Sequence, residues 1–203
     1  MSRGWPVSLV HEGVAVRPIR VRDAAAWVEA RQRNREWLTP WEGTPEAQPW
    51  ASWSDRHSPA VYSAMLRLFR REARVGRLLP FGVTYQGRLV GQVTVGTVVR
   101  GAFDSATVGY WVDRDVAGLG IMPIALALVI DHCFGAVGLH RIEANVRPEN
   151  AASRRVVEKL GFRREGVHLR YLFIDGAWRD HVCYALTREE VSGGVLCGLL
   201  DTV

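Results

Sequence analysis

The stretch TVGYWVDRDVAGLGIMPIALALVIDHCFGAVG, residues 107–138, constrains the fold more than any other segment of the chain. A β-rich run closes at Val112. After a short turn, an apolar run beginning at Ile121 reads as a buried helix that ends near Gly135–Gly138. Gly118 and Gly120 stand in the turn between them. The first turn of a helix has free N–H groups and a positive dipole end, which together bind phosphate. Glycines there remove the Cβ atoms that would hold a pyrophosphate away. Taken alone, the turn fits a tight connection as well as a phosphate cradle. It lacks the third glycine of a Gly-x-Gly-x-x-Gly dinucleotide site and the lysine of a P-loop.

The flanking sequence supplies the rest of a mixed domain. VAVRPIRVRDAAAWVEARQ passes from strand alternation at Val14, Val16 and Ile19 to helical spacing after Asp23, the expected N-cap of a helix over about 24–35. WLTPWEGTPEAQPWASWS places Trp37, Trp41, Trp50 and Trp53 among prolines as an irregular loop, and an amphipathic helix follows from about Pro59 to Arg74. Gln86-Gly87 and Asp175-Gly176 sit between β-rich runs as hairpin turns. HRIEANVRP reads as a strand. ENAASRRVVEKLGF reads as a short helix with Asn150 as N-cap and Gly161 as its stop. The predicted order is β-α-α-β-β-β-α-β-α-β-β, an α/β fold with a mixed, largely antiparallel sheet flanked by helices. One domain is expected over 14–187, with a C-terminal tail over 188–203.

Strand, glycine turn, helix, strand, then Asn-x-x-Ser opening a short helix that ends in Leu-Gly-Phe resembles the GNAT superfamily of acyl-CoA N-acyltransferases. The likeness runs from about Val14 to Leu186. VAVRPIRVRDAAAW, NREWLTPW and GAWRDHVCYALTREE resemble the RimJ/RimL branch, the N-terminal acetyltransferases of ribosomal proteins. The resemblance implies a twisted sheet whose central strands splay to hold an acyl-CoA. It implies that the main chain of Trp111 and Val112 pairs with the pantetheine amides. The pyrophosphate is implied to lie on Ala117, Gly118, Leu119, Gly120, Ile121 and Met122, with Asn150 and Ser153 also contacting the cofactor. The family pattern has Gln or Arg where this chain has Asp115, so one positive contact is missing. Arg154 and Arg155 are offered either to a 3′-phosphate or to solvent.

The resemblance leaves the acid–base chemistry open. Acyl transfer to an amine needs the ammonium deprotonated and the leaving thiolate protonated. Asn145 stands where RimI-like enzymes carry a catalytic Glu, and Val157 stands where they carry a Tyr acid. Glu143, two residues from Asn145 and so on the same strand face, is the nearest carboxylate, with a salt bridge to Arg141 as the alternative role. Tyr171 is the substitute acid, with aromatic packing as its alternative. Asn145 is suited to holding a water or the substrate amine. Trp37 and Trp41 either border the acceptor entrance, with Glu36 and Glu42 attracting a cation, or plug the sheet. Cys133 lies in an apolar helix and is a poor nucleophile. The scattered histidines give no ligand spacing, so no metal is assigned.

Composition narrows the partners. Of 26 basic residues against 21 acidic ones, Lys159 is the single lysine. Arginine suits phosphates and acidic surfaces, and a GC-rich coding sequence would give the same bias. No basic tail or RNA-binding signature points to direct nucleic-acid binding. Cys133, Cys183 and Cys197 are too dispersed for a disulfide framework. No signal peptide or membrane-spanning run is read, so a cytoplasmic monomer or homodimer is expected. Three functions stay open: acetyl transfer from acetyl-CoA to a protein N-terminus such as a ribosomal protein's, the same transfer to a small amine or antibiotic, and a non-catalytic acyl-CoA sensor.

Overall fold

Three two-residue turns of one chemistry build most of the sheet. In the computed structural model, which describes residues 3–47, 52–191 and 193–201, Glu12-Gly13, Gln86-Gly87 and Asp175-Gly176 each take two positive φ angles in succession. That geometry matches the twist of a hairpin. The strands are β1 (Leu9–His11), β2 (Val14–Pro18), β3 (Leu79–Tyr85), β4 (Arg88–Val99), β5 (Ser105–Val112), β6 (Arg141–Val146), β7 (Arg163–Ile174) and β8 (Ala177–Thr187). They form one sheet of order β1-β2-β3-β4-β5-β6-β8-β7. All neighbours are antiparallel except β5 and β6. β1 is an addition to the expected order, which starts at Val14.

The helices are α1 (Ala24–Arg33), α2 (Arg35–Leu38), α3 (Trp53–Arg56), α4 (Pro59–Arg74), α5 (Ile121–His132), α6 (Ala151–Lys159) and α7 (Val195–Leu200). Leu89 packs with Trp27 of α1 and with Tyr62 and Leu66 of α4. Val90, the next residue, packs in the larger core that contains the buried side chains of α5. Adjacent strand residues point to opposite faces, so α1 with α4 and α5 cover the two sides of the sheet. α5 continues through a π turn over Cys133–Val137 and stops at Gly138, whose φ is 76°. Asp23 does not cap α1 through its side chain. Its carboxylate instead receives both Arg17 guanidinium nitrogens, at 2.7 and 2.8 Å, and the Arg20 N–H at 2.8 Å.

Two features set up the site. β5 and β6 pair only from Ser105–Thr107 against Arg141–Glu143, so the strands diverge beyond Thr107 and Glu143. The far end of β5 is bolted to α1: the fully buried Asp113 receives Arg33 at 2.5 Å and Asn34 at 2.9 Å, while Asn34 Oδ1 accepts the Arg114 N–H at 2.9 Å. Within the expected C-terminal tail, α7 docks on α5. The Asp131 carboxylate accepts the N–H groups of Val195 and Leu196, at 2.6 and 3.0 Å, and Val195 and Leu199 are buried.

Candidate active site

The turn after β5 leads straight into the free end of α5. Gly118 and Gly120 have φ of 84° and 77°, and a Cβ at either position would meet no protein atom within 4 Å. The space beside them is open cleft. Left-handed φ costs an L side chain roughly 1–2 kcal/mol, which accounts for glycine at both positions. Gly120 is the N-cap of α5, so the N–H groups of Gly120, Ile121 and Met122 have no intrahelical acceptor. Pro123, in the third helical position, carries no N–H. Ala117, Gly118, Gly120, Ile121 and Met122 all line a cleft of about 1060 Å³. Leu119 is 62% exposed and does not line it.

The cleft runs from this cradle along the outer half of β5. Trp111 and Val112 line it, yet their carbonyls face opposite ways. That of Trp111 points at Gly91 of β4. That of Val112 accepts the Trp37 indole N–H at 3.2 Å. By strand alternation the main-chain groups of Trp111 face β4, and those of Tyr110 and Val112 face the diverging side of β5. Across the gap stands α6. Asn150 caps it, accepting the Ser153 N–H at 3.0 Å, and both residues line the cleft. Arg155 and Lys159, one helical turn apart, line it too. Arg154 turns away, donating to Tyr184 at 3.1 Å and to the Pro148 carbonyl at 3.3 Å. Asp115 lies outside the cleft and faces Arg33 at 3.8 Å.

A second cleft, of about 230 Å³, opens beside the diverging strands and is bounded by Asn145, Arg147, Leu172 and His181. Trp41, Gly109, Tyr110, Asn150 and Ser153 line both clefts. At this junction the Tyr110 hydroxyl lies 2.8 Å from Ser153 Oγ. Burial pushes the Tyr110 phenol far above its usual range, so the pair is two neutral hydroxyls. Tyr110 is a site residue that the sequence reading omits. Its placement follows from the divergence of β5 and β6, which local sequence does not reveal.

The three expected catalytic residues are placed differently from one another. Glu143 lines neither cleft. It receives Arg141 Nε at 2.8 Å, and the same guanidinium also holds Glu165, which is the salt-bridge alternative. Asn145 lines the second cleft and reaches the Tyr171 hydroxyl at 3.5 Å, leaving its buried Oδ1 without a partner among the described residues. Tyr171 lines neither cleft, and its ring packs beside His168 and His181.

The tryptophan-rich segment divides its roles. Trp37 lines the large cleft and Trp41 both, with Arg147 over the Trp41 ring at 5.5 Å. Trp53 is buried, and Trp50 lies outside the described residues. Glu36 is exposed. Glu42 lines the large cleft but is paired with Arg31, whose guanidinium sits 5.1–5.6 Å from the rings of Trp27, Trp53 and Trp111. His57 Nε2 lies 2.8 Å from both partners. Burial, then Arg31, lowers the His57 pKa to about 4. Its Nδ1 proton goes to the Trp53 carbonyl at 2.8 Å.

Comparison with known proteins agrees with this geometry. A family model described as an acetyltransferase (GNAT) domain matches residues 14–163. The chain is 34% identical over 179 residues to the probable N-acetyltransferase YjcK of Bacillus subtilis (strain 168), covering 87% of this chain and 95% of that one. It is 32% identical over 191 residues to the [ribosomal protein uS5]-alanine N-acetyltransferase of Escherichia coli (strain K12), covering 93% and 94%. The solved structure of Mycobacterium smegmatis RimJ in complex with CoA-disulfide superimposes with a TM-score of 0.93 at 45% identity, covering 100% of this chain and 97% of that one. A glycine cradle on a helix N-terminus, diverging central strands and these likenesses converge: the chain belongs to the GNAT family of N-acetyltransferases.

Proposed function

We propose that this enzyme moves the acetyl group of acetyl-CoA directly onto the α-amine of a protein N-terminus, a ribosomal protein being the acceptor class. The observation that carries the reading is the meeting of two clefts at Tyr110 and Ser153, in the gap between β5 and β6. The large cleft suits an acyl-CoA because Gly118 and Gly120 leave open the space that side chains would fill. The N–H groups of Gly120, Ile121 and Met122 would hold the pyrophosphate, Val112 and Tyr110 the pantetheine, and Arg155 and Lys159 further phosphate. When bound, the thioester supplies an activated acyl carbon. Ser153, beside Tyr110, is the hydroxyl suited to return a proton to the departing sulfur. Asn145, with its unpartnered Oδ1, is suited to orient the amine in the second cleft. The E. coli relative's named action on uS5 supports a peptide acceptor. A cytoplasmic monomer or homodimer that does not itself bind nucleic acid belongs to the same reading.

The test is thiol release from acetyl-CoA with N-terminal peptides of ribosomal proteins set against small amines. Peptide-dependent release is expected. Release with small amines alone would move the acceptor to that class, and tight acetyl-CoA binding with no release on any amine would make the protein a sensor.

A further inference from the structure

His181 is a titratable side chain lining the second cleft that the reaction has not yet used. It sits on β8, where Cys183 pairs with Asn145 of β6; two residues along, His181 faces the same side as Asn145. Residue exposure is 2%, yet the ring lines the second cleft together with Asn145 and the Tyr110–Ser153 pair. Its Nδ1 lies 3.0 Å from the Arg179 carbonyl. A carbonyl only accepts, so Nδ1 carries the proton and Nε2 keeps its lone pair. Among the described residues Nε2 has no partner.

The other groups at the junction are unsuited to taking a proton. Tyr110 is a neutral phenol held far from ionisation, Arg147 is a cation, Glu143 is bound by Arg141 outside the cleft, and Glu42 is bound by Arg31. Resting on the acetyl-transfer reading above, we propose that His181 is the general base that takes the first proton from the acceptor's ammonium. The balance is simple. One ammonium proton passes to Nε2, and the freed nitrogen pair forms the C–N bond while the C–S bond breaks with its electrons on sulfur. Ser153 gives its proton to that sulfur and takes the surplus proton from nitrogen, and the proton on His181 goes to solvent. The surroundings keep the imidazole neutral beforehand. Burial lowers its pKa first; the hydrogen bond to the Arg179 carbonyl raises it, Arg147 lowers it, and Glu149 and Asp180 raise it, while His168 and Tyr171 of β7 pack on the same side.

The experiment is kcat against pH at saturating peptide and acetyl-CoA, for wild type, H181Q and H181A. Wild-type kcat is expected to fall on the acidic side as His181 gains its proton. In H181Q, kcat is expected to drop about 100-fold and lose that acidic limb, in line with the roughly 10²–10⁴-fold of general acid–base catalysis, with CoA affinity unchanged. Added imidazole is expected to restore some of the H181A rate, which a merely structural role would not allow. An acidic limb that survives in H181Q, or one that disappears in Glu143→Gln instead, overturns the proposal. If neither His181 variant folds, the wild-type profile decides, because a kcat that stays flat as the pH falls well below the ordinary histidine value of about 6.5 excludes His181 as the base. Failure of the transfer reading is distinct, since wild type would then release no thiol with peptide at all.

Discussion

Gly120 combines local legibility with mechanism. Its φ of 77° suits glycine, and its Cβ direction opens into the cleft that a pyrophosphate would fill. A Gly120→Glu variant places bulk and negative charge on that cradle, where its Cβ touches no protein atom. We expect CoA binding to weaken by about 100-fold or more, some 2.7 kcal/mol, with a folded circular-dichroism spectrum retained. Titration calorimetry checks this, and normal affinity would remove the cradle from the site. Other residues show where one sequence stops informing. Gly118, Gly120 and the Asn150 cap on the Ser153 N–H are readable because each is set within a few residues of chain. Tyr110 meets Ser153 across 43 positions, and Arg33 meets Asp113 across 80. Those pairs depend on strand register and helix placement, which no local periodicity encodes. His181 is not legible locally for the same reason: the role proposed for it depends on a cleft formed by β5, β6, β8 and the segment around Trp41.

At the level of elements, caps and turns were the most readable features. Pro59 begins α4 and Arg74 ends it where the apolar spacing predicts, with Ser58 accepting the Val61 N–H at 3.3 Å. Asp23 broke the pattern because Arg17 and the Arg20 N–H compete for its carboxylate more strongly than the first turn of α1 does. α7 was hidden for a different reason. Its sequence, Val195–Leu200, is too short to show helical periodicity and forms through Asp131, an acceptor supplied by another helix. Removing that acceptor by Asp131→Ala is expected to cost about 1–2 kcal/mol. That corresponds to a midpoint lowered by roughly 2–8 °C at this chain length, with CoA affinity unchanged. Thermal unfolding followed by circular dichroism measures the shift, and an unaltered midpoint would mean that α7 contributes nothing to the folded body.

For the whole molecule, the fold's contribution to function is to separate neighbouring strands of a continuous sheet while fixing both ends of the gap. At the base, Thr107 remains paired with Glu143; at the far end, Arg33 and Asn34 secure Asp113 just before the glycine turn. α6 closes the opposite wall, and Trp41 stands between the large cleft and the second one. The central claim is that acyl-CoA occupies this gap, with its pyrophosphate on the N-terminus of α5. Residue-resolved amide hydrogen exchange, with and without saturating CoA, tests it most directly. The predicted result is new protection concentrated at Gly118, Gly120, Ile121 and Met122 and at the open edge of β5 around Tyr110 and Val112. Saturated binding that leaves those amides exchanging as in the free protein would contradict it.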